Sequence, residues 1–119
     1  MSMGNYEEIK RLTLDEFLEE LTVINKEVGR ISKRKRHWRY LINKNEIECV
    51  ATGKLIAYCS YDKNVKANTF HYNFYSKDGE LFTIDHKIPK SKGGKDNTTN
   101  IQPMLQENNT EKGSDMIYL

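Results

Sequence analysis

From Thr13 to Ile31 the chain keeps one apolar face at helical spacing, and after Thr69 it switches to short strand-like runs. Any fold it adopts must join the two. Thr13-Leu14-Asp15-Glu16 fits a capping box, in which the Thr hydroxyl and the Glu carboxylate satisfy free amides at a helix start. Leu14, Phe17, Leu18, Leu21, Ile24, Val28 and Ile31 follow at three-and-four intervals. Gly29 interrupts this helix, and the spacing predicts a second, basic helix from Ile31 to Asn43. Thr69 to Ser76 is rich in aromatic residues, Asp78-Gly79 is a hairpin signal, and Leu81 to Asp85 resumes strand character. Ile88-Pro89 through Asn97 reads as a polar loop centred on Gly93-Gly94. Pro103 and Gly113 bracket a last helix of about ten residues. The pattern is α+β: N-terminal helices, then a unit built on an antiparallel hairpin.

At 119 residues the chain is one domain's worth. It divides into a helical, basic N-terminal part over 1–48 and a compact unit over 49–119. Hydrophobic residues make up 37%, enough for a modest core, and 4 Phe, 7 Tyr and 1 Trp argue against disorder. No apolar run is long enough to span a membrane, and Met1 to Glu8 carries no leader-like stretch. An intracellular setting, cytoplasmic or nucleoid-associated, is expected.

The net charge of +2 hides an uneven distribution. Residues 1–28 carry 3 basic and 7 acidic side chains, whereas residues 29–45 carry 7 basic and none acidic. That block comprises Arg30, Lys33, Arg34, Lys35, Arg36, Arg39 and Lys44, with His37, Trp38 and Tyr40 among them. Such a cluster can neutralise several phosphates while the rings offer stacking faces. The alternative is a solvated helix face with Trp38 turned into the core. The apolar stripe from Leu14 to Ile31 is either core or an interface, for a second copy or for a protein partner.

Chemistry concentrates in residues 82–113. Asp85 and His86 lie side by side where a strand runs into the Pro89 and Gly93-Gly94 loop, so both can serve one site only if the strand ends or bends there. Asn109 and Lys112 share a helix face. Carboxylate and amide oxygens are hard ligands suited to Mg²⁺, and an imidazole beside such an ion is suited to deprotonating water.

The ordered set Asp85-His86, Pro89 with Gly93-Gly94, Asn100, and Asn109 with Lys112-Gly113 resembles the HNH nuclease family, in its His-Asn-Asn variant. The resemblance implies a ββα-metal core and DNA as the partner. His86 would be the general base, and Asp85 and Asn109 the holders of one divalent ion, Mg²⁺ or alternatively Mn²⁺. Asn100 would fix the loop, and Lys112 would contact phosphate or brace the metal ligands. Only Asn109, not Asn108, has the family's spacing to Lys112. Many members also carry two Cys-x-x-Cys pairs that bind structural zinc. Here those positions are Cys49 with Thr52 and Leu105 with Asn108, so one ligand of four is present and no structural zinc is expected. The reaction implied is hydrolysis of DNA phosphodiester bonds, by nicking or double-strand cleavage. The alternatives are a non-catalytic nucleic-acid-binding protein of the same fold, and an RNA-directed or toxin-like nuclease. The nuclease reading requires His86, Asp85 and Asn109 to converge on a common hydrated cation.

Overall fold

The computed structural model describes residues 2, 3 and 5–116. Two strands come first, β1 (Ser2–Met3) and β2 (Tyr6–Leu12), followed by helices α1 (Leu14–Val28) and α2 (Lys33–Asn43). Then come β3 (Tyr58–Asn64), β4 (Thr69–Tyr75), β5 (Phe82–His86), β6 (Ile101–Leu105) and the short helix α3 (Gln106–Lys112). The strands form a four-stranded antiparallel sheet, β1-β2-β3-β4, and a separate β5-β6 ribbon. The architecture is α+β, as expected. No helix among the described residues is long and apolar enough to cross a membrane.

Local chemistry explains the helices. Both halves of the Thr13 capping box are present, and Gly29 ends α1 at φ 85°, a left-handed conformation that costs glycine least. Ser32 caps α2 by accepting from the Lys35 amide. Phe17 and Leu21 of α1 are fully buried, each worth roughly 1.5–3 kcal/mol. Phe17 meets the Phe74 and Tyr72 rings of β4 edge-on. Trp38 of α2 stacks on Phe74 with centroids 4.4 Å apart and is 1% exposed. The core reading of Trp38 therefore holds, and the ring offers no stacking face to a base.

Three features depart from the sequence reading. The first 12 residues hold strands, and β2 pairs with β3 from Tyr6↔Asn64 to Leu12↔Cys59, with a register shift near Ile9. The Asp78-Gly79 turn joins β4 to β5 by only the isolated bridge Tyr75↔Leu81, and β5 pairs with β6 instead of closing a hairpin on β4, while one hydrophobic cluster runs from Leu12 through Trp38 and Phe74 to Leu105. Pro103 lies within β6 opposite Ile84, and the last helix starts only at Gln106. The ribbon tolerates Pro103 because its backbone faces away from β5, with its carbonyl accepting from the Val50 amide at 3.2 Å, so the missing N–H breaks no ladder bond.

The loop from β5 to β6 is tightly fixed. Asn100 Oδ1 accepts from the Ile88 amide at 2.9 Å, while its Nδ2 donates to Ile88 O at 3.0 Å and Lys95 O at 2.8 Å. A Cβ on Gly94 would lie 1.7 Å from Ile88 O, so only glycine lets the loop fold back on the Ile88–Pro89 backbone. These constraints decide where the loop's tip sits relative to His86.

Candidate active site

Two clusters flank β5. The first lies between β5 and α3, where Asp85 Oδ1 receives the Lys112 ammonium at 3.2 Å and Oδ2 receives Gln102 Nε2 at 2.9 Å. Lys112 also donates to His86 O at 3.3 Å. Asn109 faces the same strand and donates Nδ2 to Thr83 Oγ1 at 2.8 Å. Thr83 and Asp85 are two residues apart and share a strand face, which is why both meet α3.

His86 takes different partners. Its Nε2 lies 2.9 Å from Asp96 Oδ1, at the tip of the loop that Asn100 and Gly94 hold in place. Asp96 Oδ2 lies 3.2 Å from Lys33 of α2 and 3.6 Å from Lys90, and the His37 Nδ1 is 3.9 Å from Oδ1. The His86 hydrogen bond first, and the Lys33 hydrogen bond second, hold the Asp96 carboxyl well below the usual carboxylate range. Burial pushes the His37 imidazole below its ordinary 6.5, outweighing the pull of Asp96. Two clefts of about 580 Å³ each share Lys33, His37 and Asp96. One is also lined by Thr83, Ile84 and His86, the other by Arg36, Arg39, Tyr40 and Lys44.

The structure thus gathers Asp85, Asn109 and Lys112 on one side of β5 and engages His86 with Asp96 and α2. The full three-way convergence expected from the sequence is not formed in this arrangement. The reason is the alternation of an extended strand, which separates adjacent positions 85 and 86 until the backbone bends beyond them. Asn100 acts on the loop backbone and not on the His86 ring.

Does the β5–α3 cluster fit a divalent ion? Among the described residues no three His, Cys, Asp or Glu side chains converge as a metal group. The donor chemistry nonetheless suits a hard cation that keeps most of its waters. Asp85 supplies a carboxylate, and with Asn109 Nδ2 spent on Thr83, the amide's oxygen end is the one left for a cation. The Lys112 ammonium, held by Asp85 Oδ1 and His86 O, shows that a positive charge already sits among oxygens here. An ion at Asp85 would take the place of that ammonium.

The basic block divides. Arg34 donates to Tyr72 O at 2.7 Å and Asn73 Oδ1 at 3.3 Å, capping the free edge of β4. Arg36 donates to Ile31 O at 2.8 Å, and Lys35 lies over the Tyr72 ring. Arg34, Arg36 and Lys35 therefore brace the fold. Toward the described residues Arg30, Lys33 and Arg39 make no backbone contact of this kind, and Lys33 and Arg39, together with Arg36, line the clefts.

A third cluster collects the four positions at which zinc-bearing HNH proteins place cysteines. Cys49 Sγ accepts from the Leu105 amide at 3.4 Å and lies 4.0 Å from Asn108 Oδ1. Burial disfavours its thiolate, but the Leu105 amide, the Thr52 side chain and the Ala51 and Thr52 amides outweigh that and lower the thiol's pKa. Asn108 thus turns toward Cys49 and Asn109 toward β5, which separates the two neighbours.

Sequence reasoning passed over Asp96. Its signal was visible: it is the one acidic residue between Lys87 and Gln106, set among Lys87, Lys90, Lys92 and Lys95. An acid isolated among lysines in a glycine loop reads as turn chemistry until the fold brings it to the imidazole.

A sequence model of the HNH endonuclease family matches residues 57–115, from just before β3 to just past α3. Searches of curated proteins and of solved structures return no match.

Proposed function

Because residues 57–115 make this chain a member of the HNH endonuclease family, we propose that it hydrolyses DNA phosphodiester bonds with His86 as general base. The common convergence of His86, Asp85 and Asn109 that the sequence reading required is not formed, so this reading rests on the family match and on one observation, the placement of His86 in an open cleft shared with Lys33, its ring held by a carboxylate. Water would give its proton to His86 while its oxygen bonds to phosphorus. The P–O bond to the 3′ oxygen breaks, and that oxygen leaves with the electron pair and is protonated by solvent. Lys33, which lines the same cleft as His86, and Lys90 both contact Asp96 and would attract a backbone phosphate toward the imidazole. A divalent ion, Mg²⁺ or Mn²⁺, would be held by Asp85 and Asn109, and when bound it supplies Lewis-acid stabilisation of phosphoryl charge. Asn100 serves by fixing the loop, and Lys112 by holding Asp85 in place before an ion arrives. Arg39, Lys44 and the exposed Arg30 extend the positive surface along α2 for the DNA backbone.

A second reading, a nucleic-acid binder without turnover, is favoured by one observation: Asp85 is already neutralised by Lys112. Supercoiled plasmid with Mg²⁺ or Mn²⁺ decides between them. Cleavage that disappears with EDTA and in His86→Ala supports the nuclease. Retention of DNA with no cuts in either metal supports the binder, and parallel single-stranded, branched and RNA substrates identify an RNA-directed enzyme.

A further inference from the structure

We propose, resting on the nuclease reading above, that Asp96 is the positioning residue of His86, accepting its Nε2 proton and thereby leaving Nδ1 as the basic nitrogen. An ionised carboxylate can only accept hydrogen bonds, so the nitrogen 2.9 Å from Asp96 Oδ1 must carry the hydrogen. A neutral imidazole has one N–H, which makes Nδ1 the lone-pair end. Among the described residues none forms a hydrogen bond with Nδ1. Water's proton therefore passes to Nδ1, and the imidazolium keeps its Nε2–H on Asp96, which stays negative throughout and stabilises the new charge.

Asp96 is itself held from two directions. Lys33 and Lys90 fix Oδ2, and the backbone that carries it is pinned by the Asn100 amide and the close packing at Gly94. The carboxylate consequently links the basic helix to the reacting imidazole. A phosphate drawn to Lys33 and Lys90 is placed beside the base in the same event.

Histidine ¹⁵N NMR on the whole protein, with the His86 signals assigned by their loss in His86→Gln, tests the tautomer without turnover. The wild type should show His86 protonated at Nε2. Asp96→Ala should mix the tautomers and Asp96→Glu should restore Nε2–H, with the amide spectrum reporting that each variant is folded. In plasmid cleavage, Asp96→Ala should lower kcat by about 10- to 100-fold, part of the roughly 10²–10⁴ that a positioned base contributes, with KM little changed. An unchanged tautomer in Asp96→Ala overturns the assignment, as does a raised KM with kcat intact, which would leave Asp96 serving only the lysines. A wild type that cuts no substrate defeats the nuclease reading, while the NMR result still decides whether Asp96 orients the ring.

Discussion

Lys112 and Asp85 are nearly sealed from solvent, with 1% and 5% of their side chains exposed. Two opposite charges survive there because each completes the other and both have further hydrogen-bond partners, Gln102 for Asp85 and the His86 carbonyl for Lys112. Removing one partner leaves the other charged and uncompensated, which typically costs about 3–5 kcal/mol. Lys112→Met, which nearly preserves the volume, is therefore expected to lower the thermal midpoint sharply. Mg²⁺ or Mn²⁺ should then restore part of the loss, because a divalent ion supplies the missing charge. Asp85→Asn with Lys112→Met should show no such recovery, and a single variant indifferent to Mn²⁺ would mean that the seam admits no ion. The identities at 85, 86, 100, 109 and 112 were legible in order and spacing. Their partners were not, because Gln102 and Thr83 reach them only through the β5–β6 register and the packing of α3.

At the level of elements, α2 does two jobs on two faces. Trp38 and Leu41 bury into the core while Lys33 and Arg39, with Lys44 just past the helix end, line clefts, and His37 sits at the boundary. Unfolded, the His37 ring titrates near 6.5; folded, burial holds it lower. Between those two values the unfolded chain binds more protons, so the unfolding free energy rises with pH across that window. The stability is present above 6.5 and is lost as pH falls through the folded value. Chemical denaturation at about pH 7.5 and about pH 5.5 should show this loss in the wild type and a smaller one in His37→Gln, whose side chain does not titrate. Equal losses in both proteins would remove His37 as the source. The helices were readable because their caps and stripes are local. Strand β2 was not, since six of its seven residues escape full burial and its pairing partner lies some fifty positions away. Strand β6 was misread because Pro103 suits a helix start as well as a ribbon edge.

Across the whole molecule, one hydrophobic core ties the N-terminal strands and helices to the segment that carries the family match. The basic surface and the proposed catalytic groups are therefore fixed relative to one another, and two clefts meeting at Lys33, His37 and Asp96 form a path from His86 to Lys44. Neutralising Lys33, Arg39 and Lys44 together should flatten the salt dependence of DNA binding by about 2–3 in log–log slope, at roughly 0.9 per phosphate contact. Arg34→Gln should instead lower thermal stability with the slope nearly unchanged, since its guanidinium is committed to the β4 edge. Equal slope changes in the two proteins would return Arg34 to the DNA surface. The charge block was legible in the sequence as a concentration of cations. Which of its members stay free of the fold depended on where α2 meets β4, and no local pattern encodes that.

The corner around Cys49 bears on how metal removal is to be understood. Where thiolates staple a small scaffold through zinc, sequestering ions melts the scaffold and silences the enzyme in one stroke. Here sulfur is satisfied by a main-chain amide, and leucine and asparagine stand beside it. If this corner is held without zinc, stripping the solution of ions should leave the thermal midpoint where it was, and any silence in a chelated reaction then speaks of the chemistry alone; a midpoint that falls with EDTA would instead mean that an ion staples the framework.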